Sequence, residues 1–121
     1  MVNFGPPNTV PDKFKQRRFY QHNPTVTLMR TTPDENHQLG EKIGRNAAAV
    51  TGSTAVLIPL RGISAIDQNG KTFDDPAARQ ALSDGIRATH GTAGTVESVN
   101  HVNDASFVEA VAERLLKFIQ A

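Results

Sequence analysis

The 121-residue chain contains no cysteine. That absence excludes a disulfide framework, a thiolate metal centre and a cysteine nucleophile together. Charge of one sign is not in excess either. Thirteen Lys and Arg stand against 12 Asp and Glu, a balance that argues against nucleic acid or an acidic membrane as a partner. No apolar run approaches the roughly 20 residues that span a bilayer. The start, Met-Val-Asn-Phe-Gly-Pro-Pro, lacks the basic segment and apolar core of a secretory signal. The expected setting is soluble and cytoplasmic, with no nucleic-acid or membrane partner. Internal repeats and low-complexity tracts are missing. The four histidines (His22, His37, His90 and His101) show no metal-ligand spacing, so no metal site is expected. Neither Walker motif is present, and Gly62 alone makes no dinucleotide fingerprint. Ser64, in Gly62-Ile-Ser-Ala65, lacks the second glycine of a serine hydrolase elbow.

A length of 121 residues suits one ordinary domain that buries a core without staples. Residues 1–24 hold four of the seven prolines and no sustained period. They are expected to form an irregular N-terminal segment, with Val2-Asn-Phe4 as the tail of a strand and a short helical turn after Pro11. Lys13, Lys15, Arg17 and Arg18 interleave with Phe14, Phe19 and Tyr20. That pattern imitates a nucleic-acid patch but reads as a solvated face over buried aromatics.

From residue 25 the pattern is regular, and residues 25–121 read as one α/β domain. Thr25-Val-Thr-Leu-Met29 is a β-branched, apolar strand. Thr32-Pro33-Asp34-Glu35 supplies a helix cap, a proline at the first helical position and a glutamate three residues after the cap. Leu39, Ile43, Ala47 and Val50 form the expected buried stripe of that helix. Gly40 and Gly44, four apart, allow it close approach to a neighbour at some cost in helix propensity. Thr54-Ala-Val-Leu-Ile-Pro-Leu60 is too short for a buried helix and too continuously apolar for a half-exposed strand, so it reads as a parallel strand buried on both faces. Asp75-Pro76 starts a second helix with the stripe Ala78, Leu82 and Ile86. Residues 95–102 alternate weakly, as a strand nearer a sheet edge does. Asn103-Asp104 caps a last helix with the stripe Phe107, Val108, Val111, Leu115, Phe118 and Ile119. The order β-α-β-α-β-α predicts a three-layer, Rossmann-like parallel sheet with right-handed crossovers.

Parallel strands place their carboxyl ends on one edge, where open α/β sheets bind ligands. Arg30-Thr31-Thr32, Arg61-Gly-Ile-Ser64 and His101-Val-Asn103-Asp104 are expected there together. Each lies near a helix N-terminus, whose free N–H groups favour anions. Two arginines, small hydroxyl residues and a close-approach glycine suit phosphate or carboxylate. His101 and Asp67 are the candidates for proton handling.

Several strings occur here in one order. They are Val2-Asn-Phe-Gly-Pro6, Thr9-Val-Pro11, His22-Asn-Pro24, Thr27-Leu-Met-Arg-Thr-Thr-Pro33, Ile58-Pro-Leu-Arg-Gly-Ile-Ser-Ala-Ile-Asp67, Phe73-x-Asp75-Pro76 and His101-Val-Asn-Asp104. In them the chain resembles, over essentially its whole length, the uncharacterised bacterial and plant family that includes the tomato mosaic virus resistance protein and is described as ATP-binding-like. The resemblance implies a longer protein of two α/β subdomains, of which this chain is the C-terminal part and Met1 an internal position. It implies ATP or another phosphate-containing ligand. The positions carried over are Gly5, His22, Asn23, Arg30, Thr31, Arg61, Gly62, Ser64, Asp67, His101, Asn103 and Asp104. Ala105 departs from the proline expected after Asp104. The leading expectation is a subdomain supplying half of a nucleotide or phosphate cleft, partnered by the remaining N-terminal subdomain and forming a homo-oligomer. The alternatives are part of an enzyme acting on a small phosphorylated or carboxylated metabolite, and a protein-interaction module of the kind the plant relative provides against viral replication proteins.

Overall fold

Prolines crowd the first 24 residues, yet strands form between them because each proline sits in a turn. Pro7 opens a 3-10 turn over Pro7–Thr9, Pro11 precedes a second over Asp12–Phe14, and Pro24 lies in the two-residue turn joining two strands. The structure is a computed structural model and describes residues 1–98 and 100–121. Val99, part of the strand predicted over 95–102, lies outside the described residues.

The chain divides into two compact units, Met1–Thr32 and Pro33–Ala121. In the first, β1 (Val2–Phe4) and β2 (Phe19–Asn23) flank β3 (Val26–Met29), both antiparallel to it. The Asn23 side-chain oxygen accepts from the Thr25 N–H and hydroxyl, both at 2.9 Å, which builds the β2–β3 turn. Thr27 and Met29 alternate onto the buried face of β3. The rings of Phe4 and Phe14 stand 5.9 Å apart, with Lys13 and Arg17 against the Phe14 ring.

In the second unit, α1 (Pro33–Ala48) leads to β4 (Ala55–Pro59), followed by the short antiparallel pair β5 (Gly62–Ser64) and β6 (Asp67–Gln68). Next come α2 (Pro76–Thr89), β7 (Gly94–Ser98) and α3 (Ala105–Gln120). β4 and β7 pair in parallel from Ala55↔Gly94 to Pro59↔Ser98, with α2 in the connection. Asp75 caps α2 by accepting from the Ala78 N–H at 3.0 Å, with Pro76 in the first turn.

The α/β class and the β4-α2-β7 unit agree with the sequence. The three-stranded parallel sheet does not form among the described residues. The strand predicted at 25–29 is β3, and a two-residue connection from β2 permits only antiparallel pairing, since a parallel crossover needs about a dozen residues or more.

The helix stripes also need correction. On α1, Leu39 and Ile43 are exposed, Ala47 is half-buried, and Asn36, Gly40 and Gly44 are buried; Val50, also exposed, lies beyond the end of the helix. Packing of α1 on α2 selects the smallest residues. A Cβ on Gly40 would lie 2.2 Å from the Leu82 carbonyl oxygen, and one on Gly85 2.2 Å from that of His37. The backbones therefore approach to glycine distance. Asn36 donates to the Ala78 carbonyl at 2.8 Å, and the Thr89 hydroxyl lies 3.1 Å from the Glu41 carbonyl. On α2, Ala78 and Ile86 are buried as expected. On α3 only Phe107 of the predicted stripe is buried, Phe118 is half-buried, and Val108, Val111, Leu115 and Ile119 are exposed.

Gly40→Ala is expected to lower the melting temperature. Helix propensity alone favours Ala by about 1 kcal/mol, but overpacking at backbone contact costs about 1–3 kcal/mol. Gly52, with open space at its Cβ position, is the control at which Ala should leave thermal unfolding almost unchanged.

Candidate functional site

Gly62 is where β4's parallel pairing continues past its end. The Arg61 N–H donates to the Asn100 carbonyl at 3.1 Å, and the Val102 N–H donates to the Gly62 carbonyl at 2.9 Å, bridging Gly62 to His101. Gly62 has φ +156°, and a Cβ there would lie 2.4 Å from Cδ2 of His101 and 2.5 Å from the Asp67 carbonyl oxygen. No side chain fits that position.

His101 is 8% exposed, and both its ring nitrogens meet main chain. Nε2 lies 2.8 Å from the Ser64 carbonyl, which only accepts, so Nε2 carries the proton. Nδ1 then accepts from the Asn103 N–H at 3.0 Å. Asp104, at the start of α3, turns its carboxylate back to accept from the His101 N–H at 2.8 Å rather than capping the helix. The ring thus clasps β5 to the loop that launches α3. The Ser64 hydroxyl accepts from the Asp67 N–H at 3.2 Å.

Asp67 is fully buried. Its carboxylate meets Nη1 of Arg79 at 2.9 Å, and the same guanidinium nitrogen meets Asp74 at 3.0 Å. Burial pulls the Arg79 pKa down, but hydrogen bonds to Asp67 and Asp74, and their charges, outweigh it and hold the guanidinium above its ordinary value. A raised cationic group gives its stabilisation in full below its ordinary pKa and loses it only above. Arg79 therefore stays charged at neutral and acidic pH.

Beside this clasp lies a cleft of about 190 Å³ lined by Arg61, Gln68, Asn69, His101 and Asp104. Arg61 is exposed, so its charge faces the cleft without a desolvation cost. The cleft gathers part of what the sequence placed on one edge. Arg61 and His101-Asn103-Asp104 come together, with Gly62 and Ser64 as supports beneath. Arg30 and Thr31 follow β3, which belongs to a separate antiparallel sheet in the first unit, so the single edge of three parallel strand ends is not formed. Arg30 is buried, its N–H donating to the Arg18 carbonyl and its carbonyl accepting from the Arg17 guanidinium. Gly5 and Asn23 belong to turns of that first unit, and Asn23 spends its side-chain oxygen on Thr25. His22 is exposed on β2.

Gln68 and Asn69, within Asp67-Gln-Asn-Gly70, carry only turn chemistry in the sequence, and Arg79 gives no signal there beyond a lone cation. Among the described residues, no group of three or more His, Asp or Glu is placed to hold a metal ion. None of their helices is long and apolar enough to cross a membrane.

Comparison with known proteins gives a match over residues 1–119 to the C-terminal domain of the uncharacterised protein family UPF0261. The chain belongs to this family. A UPF0261 protein of Clostridium tetani is 43% identical over 122 aligned residues, covering 99% of this chain and 30% of that protein. One from Mesorhizobium japonicum is 44% identical, covering 93% of this chain and 29% of that protein. The ToMV resistance protein Tm-1(GCR237) of Solanum lycopersicum is 36% identical, covering 97% and 16%. The chain thus spans less than a third of the length of these relatives. The family assignment agrees with the resemblance carried by the sequence strings, and the fraction covered fits a domain of a larger protein.

Arg79→Ala is expected to destabilise this UPF0261 domain by about 3–5 kcal/mol, because it leaves the buried Asp67 carboxylate without its cation. Adding Asp67→Asn should recover part of that loss. Urea unfolding of both single variants and the double variant measures the coupling, and additive losses would remove the pair from the support of the cleft.

Proposed function

We propose that this chain is a ligand-binding C-terminal subdomain whose Arg61 cleft supplies half of a nucleotide- or phosphate-binding site. The observation that carries the reading is an exposed guanidinium facing a polar cleft at the end of a parallel strand, beside the start of α3. Gln68 and Asn69 add amide donors for phosphate oxygens, and Arg61 adds a bidentate charge. Gly62, Ser64, Asn103 and Asp104 shape the cleft through the His101 clasp. ATP enters by family resemblance, as one member of the phosphate-containing class. The remaining N-terminal subdomain supplies the other half, in a cytoplasmic homo-oligomer.

Arg30, Thr31, Gly5 and Asn23 are proposed as ligand contacts by family resemblance alone. An enzyme reading asks His101 or Asp67 to move protons. Each is already engaged, His101 at both ring nitrogens and Asp67 with Arg79, so catalysis by either requires breaking a structural contact. The interaction-module reading draws on Lys13, Lys15 and Arg18, which are exposed.

The test is calorimetric titration with ATP and with inorganic phosphate. It uses this chain and a full-length chimaera in which the chain replaces the matching part of the Clostridium tetani protein. Arg61→Ala is expected to weaken binding at least about tenfold, equivalent to about 1.4 kcal/mol, while Lys13→Ala leaves it unchanged. Binding indifferent to Arg61→Ala, or no binding in the chimaera, removes the assignment.

A further inference from the structure

The exposed face of α3 has the composition of a core. Val108, Val111, Leu115 and Ile119 recur at spacings of three, four and four, and so share one face of the helix. Each stands one position after a buried or half-buried residue of the inward face, Phe107, Ala110, Arg114 and Phe118. One position is about 100° of helical rotation. The second apolar row therefore points away from the first, and Leu116 widens it. Leu115 is 58% exposed and Ile119 70%. Glu109, Glu113 and Lys117 lie on the remaining side, which marks that side and not the Leu115 row as the solvent face.

A second, shorter row runs along α1, where Leu39 and Ile43 are exposed because the glycines took the contact with α2, and exposed Val50 follows just beyond the helix end. The carboxyl-terminal parts of the two helices border one cleft. A cleft of about 280 Å³ at the amino ends of β4 and β7 is lined by Ala47 and Val50 from the α1 side and Arg114 and Phe118 from α3. The strands between them are a two-stranded parallel sheet. Parallel sheets occur with both faces covered and seldom as an isolated pair.

We infer that these two apolar rows are the seat of the remainder of the full-length UPF0261 polypeptide, the part of it outside the segment that this chain matches. The amount of missing chain favours that occupant. The chain covers 30% of the Clostridium tetani relative, leaving a polypeptide more than twice its size to be placed. A second copy of this chain, docked by a two-fold contact, covers one self-complementary patch, whereas the observations give two rows on different helices. The remainder covers both at once and shields the sheet between them. This inference rests on the family assignment and the exposed rows, and is independent of any ligand at the Arg61 cleft.

The absence of cysteine makes the test direct. Leu115→Cys and, as a fold control, Ser83→Cys are introduced singly into the 121-residue chain and into the full-length chimaera, and maleimide labelling is followed by mass spectrometry. Ser83 is fully buried and should be protected in both. Cys at position 115 should label rapidly in the 121-residue chain at every protein concentration, and at least about 100-fold more slowly in the chimaera, the protection that about 2.7 kcal/mol of local closure gives. Equal rates with position 83 protected overturn the inference. So does protection of position 115 already in the 121-residue chain that grows with concentration, which assigns the face to a second copy. Should position 83 label rapidly in the chimaera, the matching positions of the native Clostridium tetani protein, substituted in the same way, give the same two-way reading.

Discussion

The close approach of Gly62 to the His101 ring is the constraint on which the second unit turns. It needs a residue without a side chain on one strand and, on the other, a planar ring able to donate at one nitrogen and accept at the other. Ser64 and Asn103 provide the two main-chain partners, and the neutral tautomer satisfies both. Protonating the second nitrogen would turn two donors toward each other. The histidine that looks most chemical in the sequence is therefore the pin joining β5 to the start of α3.

The second organising contact is the glycine seam between α1 and α2. Leucines normally carry such a contact, at helix separations of about 8–10 Å. Here Gly40, Gly44 and Gly85 bring main chain against main chain, and hydrogen bonds from Asn36 and Thr89 replace part of the apolar burial. The consequence is chemical economy on one side and surplus on the other. Leu39 and Ile43, displaced from the seam, are left as apolar surface. The apolar row of α1 is thus built from side chains the seam did not use.

Much of this was legible from residue order. Thr54 to Leu60 announced a parallel strand by its length and continuous apolar run, but not its burial. In a two-stranded sheet only Ile58 is buried and the rest of β4 is half-buried. Asp75-Pro76 announced a helix start by its chemistry. The glycines four apart on α1 announced close approach. Other features were illegible for definite reasons. A proline in a two-residue turn reads as a break, so the β2–β3 hairpin reads in the sequence as the boundary of an irregular segment. A helix with two apolar rows gives one broad stripe, and periodicity does not say which row meets the sheet. The pairing of Asp67 with Arg79 spans 12 positions and crosses from β6 to α2, beyond any local spacing rule.

By itself the sequence determined the local elements, the α/β class, the family and the position of Arg61 after a parallel strand. These follow from propensity, capping and short-range pattern, which act over a few residues. Tertiary structure alone decided that β3 joins an antiparallel sheet and that His101 and Asp67 are engaged in structural contacts. It also decided which apolar rows remain uncovered. Those outcomes depend on which distant backbones reach contact distance, and that is fixed by the packing of glycine on helix and ring on strand.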